Sequence, residues 1–339
     1  MTDADANVQV RQFHDTVDAL EKAVANVVVG QSKVVDEVLI CLFAGGHALL
    51  EGAPGLGKTL LVRTLARAMD LKFSRIQFTP DLMPGDIVGT NVVVEDERGR
   101  KRFELARGPI FGQLVLADEI NRATPKTQSA LLEAMAEHTV TIAGARHTLE
   151  EPFFVLATEN PIEMEGTYPL PEAQLDRFLF KIIVPQPDED TLVGIFDRTT
   201  GTQSAEVPQM VDAKRLLEMQ RLVREVHVAD PLTRYVARLM RASDPSLPTA
   251  APSAKKLLRY GASVRGGQAM LLSAKVCALM DGRGHVSFAD LQRVAGPSLR
   301  HRLITNFEAE ADGVTTDQIL ARLLEEVPEV PASVSSMAS

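Results

Sequence analysis

The sequence predicts an α/β protein: a P-loop, doubly wound, parallel five-stranded sheet with β-hairpin inserts, followed by a small all-helical domain. Three observations predict it. Short apolar runs alternate with helical patterns through the first half of the chain. The octapeptide Gly52-Ala53-Pro54-Gly55-Leu56-Gly57-Lys58-Thr59 sits between one such run and a helix and fits G-x-x-x-x-G-K-S/T. Beyond Pro185-Gln186-Pro187 the strand signal vanishes and helical periodicity takes over. The chain therefore divides into a sheet-bearing unit at residues 1–185, a helical unit at 186–327 and a mobile tail at 328–339 that lacks a core-forming pattern.

Taken in order, residues 1–16 are polar and acidic, with no basic-then-apolar leader pattern. Residues 17–29 read as a helix ended by Gly30. Ser32 can then cap a second helix whose Val34, Val35, Val38, Leu39 and Leu42 share one face. Strand 47–51, the glycine loop and helix 60–69 follow, and then a strand at 71–79. Two prolines and two glycines make residues 80–89 irregular. Residues 91–94 and 100–105, split by Glu97-Arg98-Gly99, form an inserted hairpin.

Leu114-Val115-Leu116 is a buried strand that delivers Asp118-Glu119. Thr124-Pro125 opens a helix with an inner stripe of Leu131, Leu132 and Met135. Residues 139–142 and 146–149 flank Ala143-Gly144-Ala145 in a second hairpin, and strands at 153–157 and 180–184 complete the sheet. In the helical half, Asp230 caps a helix that carries Pro231 in its first turn and Leu232, Tyr235, Val236, Leu239 and Met240 on one stripe. Residues 242–253 form a loop, and further helices run over 263–280, 287–294 and 316–327.

Composition narrows the classes. The 339 residues are 45% hydrophobic and 24% charged, ordinary for a globular chain with room for a sizeable core. A formal charge of −9 and the absence of aromatic-basic interleaving disfavour nucleic acid as a partner. The longest apolar window, residues 39–50, is broken by Gly45, Gly46 and His47 and is too short to span a bilayer. Cys41 and Cys277 lie far apart in apolar runs, which predicts buried free thiols and a reducing, cytoplasmic setting. Seven histidines show no H-x-x-x-H or Cys/His cluster, so no structural metal is expected.

The glycine loop points to phosphate. Its glycines let successive N–H groups turn inward around an anion, and the following helix adds positive charge at its N-terminus. Lys58 can reach the outer phosphates of a nucleoside triphosphate, and the Thr59 hydroxyl can join a Mg²⁺ shell with Asp118 at its strand end. Glu119 then stands where a water would attack, and Asn160, closing the neighbouring strand, can polarise that water. The alternatives are plain: a glycine turn, a solvated acidic turn, and a turn asparagine before Pro161.

The octapeptide is joined by three further segments. These are Leu114-Val115-Leu116-Ala117-Asp118-Glu119-Ile120-Asn121-Arg122-Ala123, Ala157-Thr158-Glu159-Asn160-Pro161, and Glu165-Gly166-Thr167-Tyr168-Pro169-Leu170-Pro171-Glu172-Ala173-Gln174-Leu175-Asp176-Arg177-Phe178. In this order and spacing the set resembles the MoxR family of AAA+ ATPases over residues 31–300. The resemblance implies ATP and Mg²⁺ as cofactors and a helical lid after the sheet. It implies a sensor-1 role for Asn160 and an arginine-finger role for Arg177 in a neighbouring subunit's site. Arg265 matches the sensor-2 arginine, although Val264 and Gly266 stand where the family has Pro and Ala. With the lid displaced in this clade, the side on which Arg265 acts stays open.

Gly30 and Gln31 resemble the segment beside the adenine base, and Leu60 belongs with the nucleotide-contacting loop. Arg122 is part of the family's pattern without a physical role legible in the sequence. A ring, usually of six subunits, is implied, as are a von Willebrand A-domain partner and a client protein matured or activated through it. The hairpins would then face the pore or a rim; Arg98, Arg100, Lys101 and Arg102 make the first one basic, and a solubilising tip explains that equally well. Other functional classes are the motor subunit of a metal-chelatase-like complex, a nucleic-acid motor, and an ATP-locked scaffold, the last disfavoured by an intact Glu119.

Overall fold

A computed structural model describes residues 3–95, 99–161, 166–200 and 207–329. Residues 330–339 of the expected tail, Glu97 and Arg98 of the hairpin tip, and Glu165 of the long motif lie outside them. The chain opens with α1 (Asp3–Ala25), α2 (Ser32–Ala44), β1 (Ala48–Glu51), α3 (Lys58–Ala68), β2 (Phe73–Gln77) and α4 (Pro84–Val88). The hairpin β3 (Gly89–Glu95) and β4 (Lys101–Arg107) follows, then β5 (Leu114–Asp118), α5 (Pro125–Glu137), the hairpin β6 (Thr139–Ile142) and β7 (Ala145–Thr148), β8 (Phe154–Glu159), α6 (Glu172–Leu175) and β9 (Phe180–Ile183). The second half comprises α7 (Glu189–Thr199), α8 (Ala213–Glu225), α9 (Asp230–Ser243), α10 (Pro252–Leu257), β10 (Leu258–Tyr260), α11 (Val264–Met280), α12 (Phe288–Leu299), β11 (Ile304–Thr305), α13 (Phe307–Ala311) and α14 (Thr316–Glu326).

The five expected strands form one sheet in the order β2-β5-β8-β1-β9. Every neighbouring pair is parallel. Alternation across the sheet splits the interior in two. Leu114 and Leu116 face one core with α1–α3 and the C-terminal helices. Val115 and Ala117 face another with Leu131, Leu132 and Met135 of α5. Parallel pairing brings all the strand C-termini to one edge, the edge at which doubly wound sheets bind ligands.

Several elements differ from the sequence reading. The first helix is longer at its start and ends at Ala25, because Phe13, Val17, Leu20 and Val24 form one fully buried stripe that carries the polar N-terminal stretch with it. Residues 80–89 are not wholly irregular: Pro84 opens the single turn α4, a position where its missing N–H costs nothing. Ser32 is the first helical residue and Gln31 stands at the cap position, with no side-chain capping bond. Likewise Ala229 precedes α9, and Asp230 lies inside it, paired with Arg234 at 2.5 Å. The C-terminal half is not purely helical, since β10 and β11 pair as an antiparallel ribbon too short to leave a periodic signature. Cys41 and Cys277 are free and buried, and burial pushes the Cys277 thiol up to about 12. Among the described residues, no helix is long and apolar enough to cross a membrane.

Candidate active site

The glycine loop links β1 to α3. Gly55 and Gly57 hold φ of 82° and 74°, the left-handed region that lets the loop's amides turn inward. Gly52 is needed for another reason: a Cβ there would lie 2.9 Å from the Cβ of Val184. Its amide donates to the Glu159 carbonyl at 3.2 Å and ties the loop to the end of β8. The Lys58 ammonium folds back across the loop and donates to the Gly52 carbonyl at 2.7 Å. Burial lowers the Lys58 pKa, against the opposing pull of Asp118 and Glu119. A half-buried ammonium hydrogen-bonded to a neutral carbonyl, above a loop with room at Gly55, fits an anionic ligand.

Beside the loop lies a cavity of about 620 Å³. Gly30, Gln31, Pro54, Gly55, Leu56, Gly57 and Leu60 line it, as do Val28, Pro185, Leu192 and Phe196. The Gln31 amide donates to the Leu56 carbonyl at 2.5 Å, which pins the loop to the segment before α2. Gly30 (φ 70°) lets α7 approach, since a Cβ there would come within 2.2 Å of Thr191 Cγ2. One wall is apolar and the other is the phosphate-type loop, as a nucleoside base and its phosphates require. The contribution of α7 was not legible: Leu192 and Phe196 carry no motif and reach the cavity only through tertiary packing.

At the sheet edge, the Asp118 carboxylate accepts from the Thr158 hydroxyl at 2.7 Å and from Arg75 Nη2 at 2.7 Å. The same Thr158 hydroxyl accepts from the Glu119 amide at 2.8 Å. Glu119 stands in the left-handed region with φ 57° and ψ 51°, a conformation that non-glycine residues hold only when their surroundings enforce it. Its carboxylate accepts from Gln77 Nε2 at 3.0 Å and pairs with Arg122 Nε at 3.4 Å. Asn160 is buried directly after β8. Arg122 thus gains a physical role beside Glu119. Arg75, Gln77 and Thr158 join the site without having been singled out in the sequence. The signal for Arg75 and Gln77 was two polar residues at strand spacing on β2, opposite β5, whereas Thr158 stood only as part of the 157–161 motif.

Arg177 and Arg265 are not brought to the loop. Both line a second groove, also of about 620 Å³, which shares no lining residue with the first. Arg177 is exposed, and its Nη1 donates to the Leu132 carbonyl at 2.7 Å. Arg265 lies 3.6 Å from Asp176.

Sheet order, glycine loop and acidic strand end define a P-loop nucleotide-binding protein with a helical lid. Residues 47–180 match the model of the ATPase family associated with various cellular activities, and residues 250–323 match an AAA lid domain. The chain is 41% identical to Chaperone MoxR1 of Mycobacterium tuberculosis over 93% of its own length and 84% of the relative's. It is 39% identical to the uncharacterized protein YeaC of Bacillus subtilis, covering 96% and 98% of the two chains. Protein MoxR of Paracoccus denitrificans is 34% identical over 88% and 91%. A crystal structure of a candidate ATPase from Cytophaga hutchinsonii superposes with a TM-score of 0.87 at 39% identity, over 96% of this chain and 98% of that one. The chain belongs to the MoxR family of AAA+ ATPases.

Proposed function

We propose that this protein hydrolyses ATP at sites completed by a neighbouring subunit in a ring, and uses the cycle to remodel or activate a client complex with a von Willebrand A-domain partner. The observation that carries this reading is the separation of the two halves of the chemistry. Lys58 sits within electrostatic reach of Asp118 and Glu119 beside the glycine loop, whereas the exposed cations Arg177 and Arg265 line a separate groove that contains none of these three. Phosphoryl transfer needs both sets together. A second copy, turning its Arg177 groove toward this loop, supplies what one chain lacks.

Thr59 and Asp118 offer the oxygen donors that suit Mg²⁺, which neutralises phosphate charge when bound. The loop amides and Lys58 bind the triphosphate. Glu119 takes a proton from water as its oxygen attacks the terminal phosphorus and the bridging P–O bond breaks, giving ADP and phosphate. The Thr158 hydroxyl, bonded to Asp118 and to the Glu119 amide, holds that base in place. Asn160 orients the water in this scheme. The chaperone role is supported by the name of the mycobacterial relative, and the A-domain partner and hexameric ring by family resemblance.

Mixing experiments test the interface. Arg177→Ala should bind ATP normally yet lose most turnover, since a finger supplied in trans contributes about 10³–10⁵ in rate. Glu119→Gln and Arg177→Ala subunits, each inactive, should regain partial activity when mixed, because some interfaces then pair an intact Glu119 with an intact Arg177. That activity should vanish on dilution below the assembly threshold. A mixture that co-assembles but stays dead, or Arg177→Ala monomers turning over at the wild-type rate, sinks the reading.

A further inference from the structure

The turn that bears Arg177 is held from outside the sheet by one residue with no motif of its own. Arg302 lies three residues beyond α12 and its side chain is 3% exposed. Its Nε donates to Asp176 Oδ1 at 2.7 Å. Its Nη2 donates to the Asp176 carbonyl at 3.0 Å and the Phe178 carbonyl at 2.7 Å, and its Nη1 to the Leu179 carbonyl at 3.2 Å and the Ser298 carbonyl. Three backbone carbonyls around Arg177 therefore answer to a single planar guanidinium. The adjacent His301 ring meets the Phe178 carbonyl as well, at 3.1 Å.

Burying a guanidinium is an expensive way to join two elements, and apolar side chains would do so at lower cost. What the rigid fork adds is direction. With the carbonyls at 176, 178 and 179 fixed, the backbone of residue 177 cannot rotate without breaking a charge-assisted hydrogen bond. Asp176 extends the arrangement. Besides Arg302, its carboxylate accepts from Ser263 Oγ at 2.9 and 3.1 Å and faces the Arg265 guanidinium at 3.6 Å. Arg177 and Arg265, far apart in sequence, hang from one buried joint.

We propose that Arg302 is a positioning residue that, through Asp176, presents Arg177 and Arg265 as one rigid unit to the neighbouring subunit's nucleotide. This rests on the reading of Arg177 as a donor in trans. A shift of α12 or α11 against the sheet then changes the aim of both cations together.

The test uses full-length chains in mixed rings. Arg302→Gln should assemble and bind ATP with unchanged affinity while turnover falls at least tenfold. Arg302→Lys, which keeps the charge but not the fork, should not rescue it. Mixed with Glu119→Gln, Arg302→Gln subunits should regain activity, because their intact loops meet well-aimed arginines. Mixed with Arg177→Ala they should stay dead, because neither partner then presents a working cation. If Arg302→Gln fails to fold, Asp176→Asn should give the same pattern in the same mixtures. Two results overturn the positioning role alone: no recovery with Glu119→Gln while the Arg177→Ala and Glu119→Gln pair recovers, or recovery with Arg177→Ala. If the Arg177→Ala and Glu119→Gln pair itself stays dead, the trans reading falls and takes this inference with it.

Discussion

The Thr158 hydroxyl joins the two acidic residues of the site, donating to Asp118 at 2.7 Å while accepting from the amide of Glu119 at 2.8 Å. Thr158 is fully buried, so neither bond is readily replaced by water. Thr158→Val keeps the shape and removes both bonds. It should cost about 1–3 kcal/mol of stability in denaturant unfolding, the range for stranding buried polar groups. Turnover should drop as well, because the left-handed backbone at Glu119 loses its tether. Wild-type turnover in a destabilised variant would confine Thr158 to a structural role.

Lys58→Ala should abolish ATP binding. The loop amides remain, but its side-chain cation, held over Gly52 at 2.7 Å, is gone. Direct titration with a fluorescent nucleotide reads this, and retained micromolar affinity would move the phosphates elsewhere.

Glu119→Gln should bind ATP normally and hydrolyse it about 10²–10⁴ more slowly, since only proton acceptance is lost from an isosteric side chain. Single-turnover hydrolysis measures the step directly. Near-normal rates would assign the base to another group.

His47 predicts a pH effect. Its ring faces the Met135 carbonyl at 3.1 Å through Nε2 and accepts from the Val155 amide at 3.0 Å through Nδ1. Burial, with a smaller push from His138 and opposed by the Met135 carbonyl, brings its pKa from 6.5 down to about 4. A depressed folded pKa gives stability that is present above pH 6.5 and lost as pH falls through 4, worth about 3 kcal/mol. Glu37 acts oppositely: burial raises it to about 7 despite Arg300 and Lys33, so its share is present below pH 4.5 and lost as pH rises through 7. The comparison of wild type with His47→Gln separates them. Their unfolding free energies should converge between pH 7 and 4, and parallel curves would refute the assignment.

The sheet was legible because most of its strands hold a compact apolar run, such as Leu114-Val115-Leu116, bounded by polar or turn residues; β2 instead mixes Phe73 and Ile76 with Ser74, Arg75 and Gln77. The loop was legible because its chemistry is local: eight consecutive residues contain the turn, the cation and the hydroxyl. Arg75 and Gln77 were not, because their meaning depends on β2 lying beside β5, and strand order is not written in any one segment. Arg122 matched a pattern, but only the fold shows it reaching Glu119. Arg302 acts 126 residues away from Asp176, and no periodicity links the two. The early start of α1 was missed because polar residues alternate with small or apolar ones near its beginning, and its single apolar stripe has meaning only against α2, α3 and α11.

The divided interior sets an order of events at the ribosome. The core containing Leu131, Val155 and Phe178 draws all its members from residues 49–178, so it can close as soon as that stretch has emerged. The opposite core joins Phe13 and Val38 to Leu279 and Leu323. Half of the sheet therefore waits, its apolar face bare, until nearly the whole polypeptide has been made. A chain cut short after the nucleotide loop and its acidic strand would carry every residue needed to grip phosphate, yet leave that side uncovered for a chaperone or a protease to find.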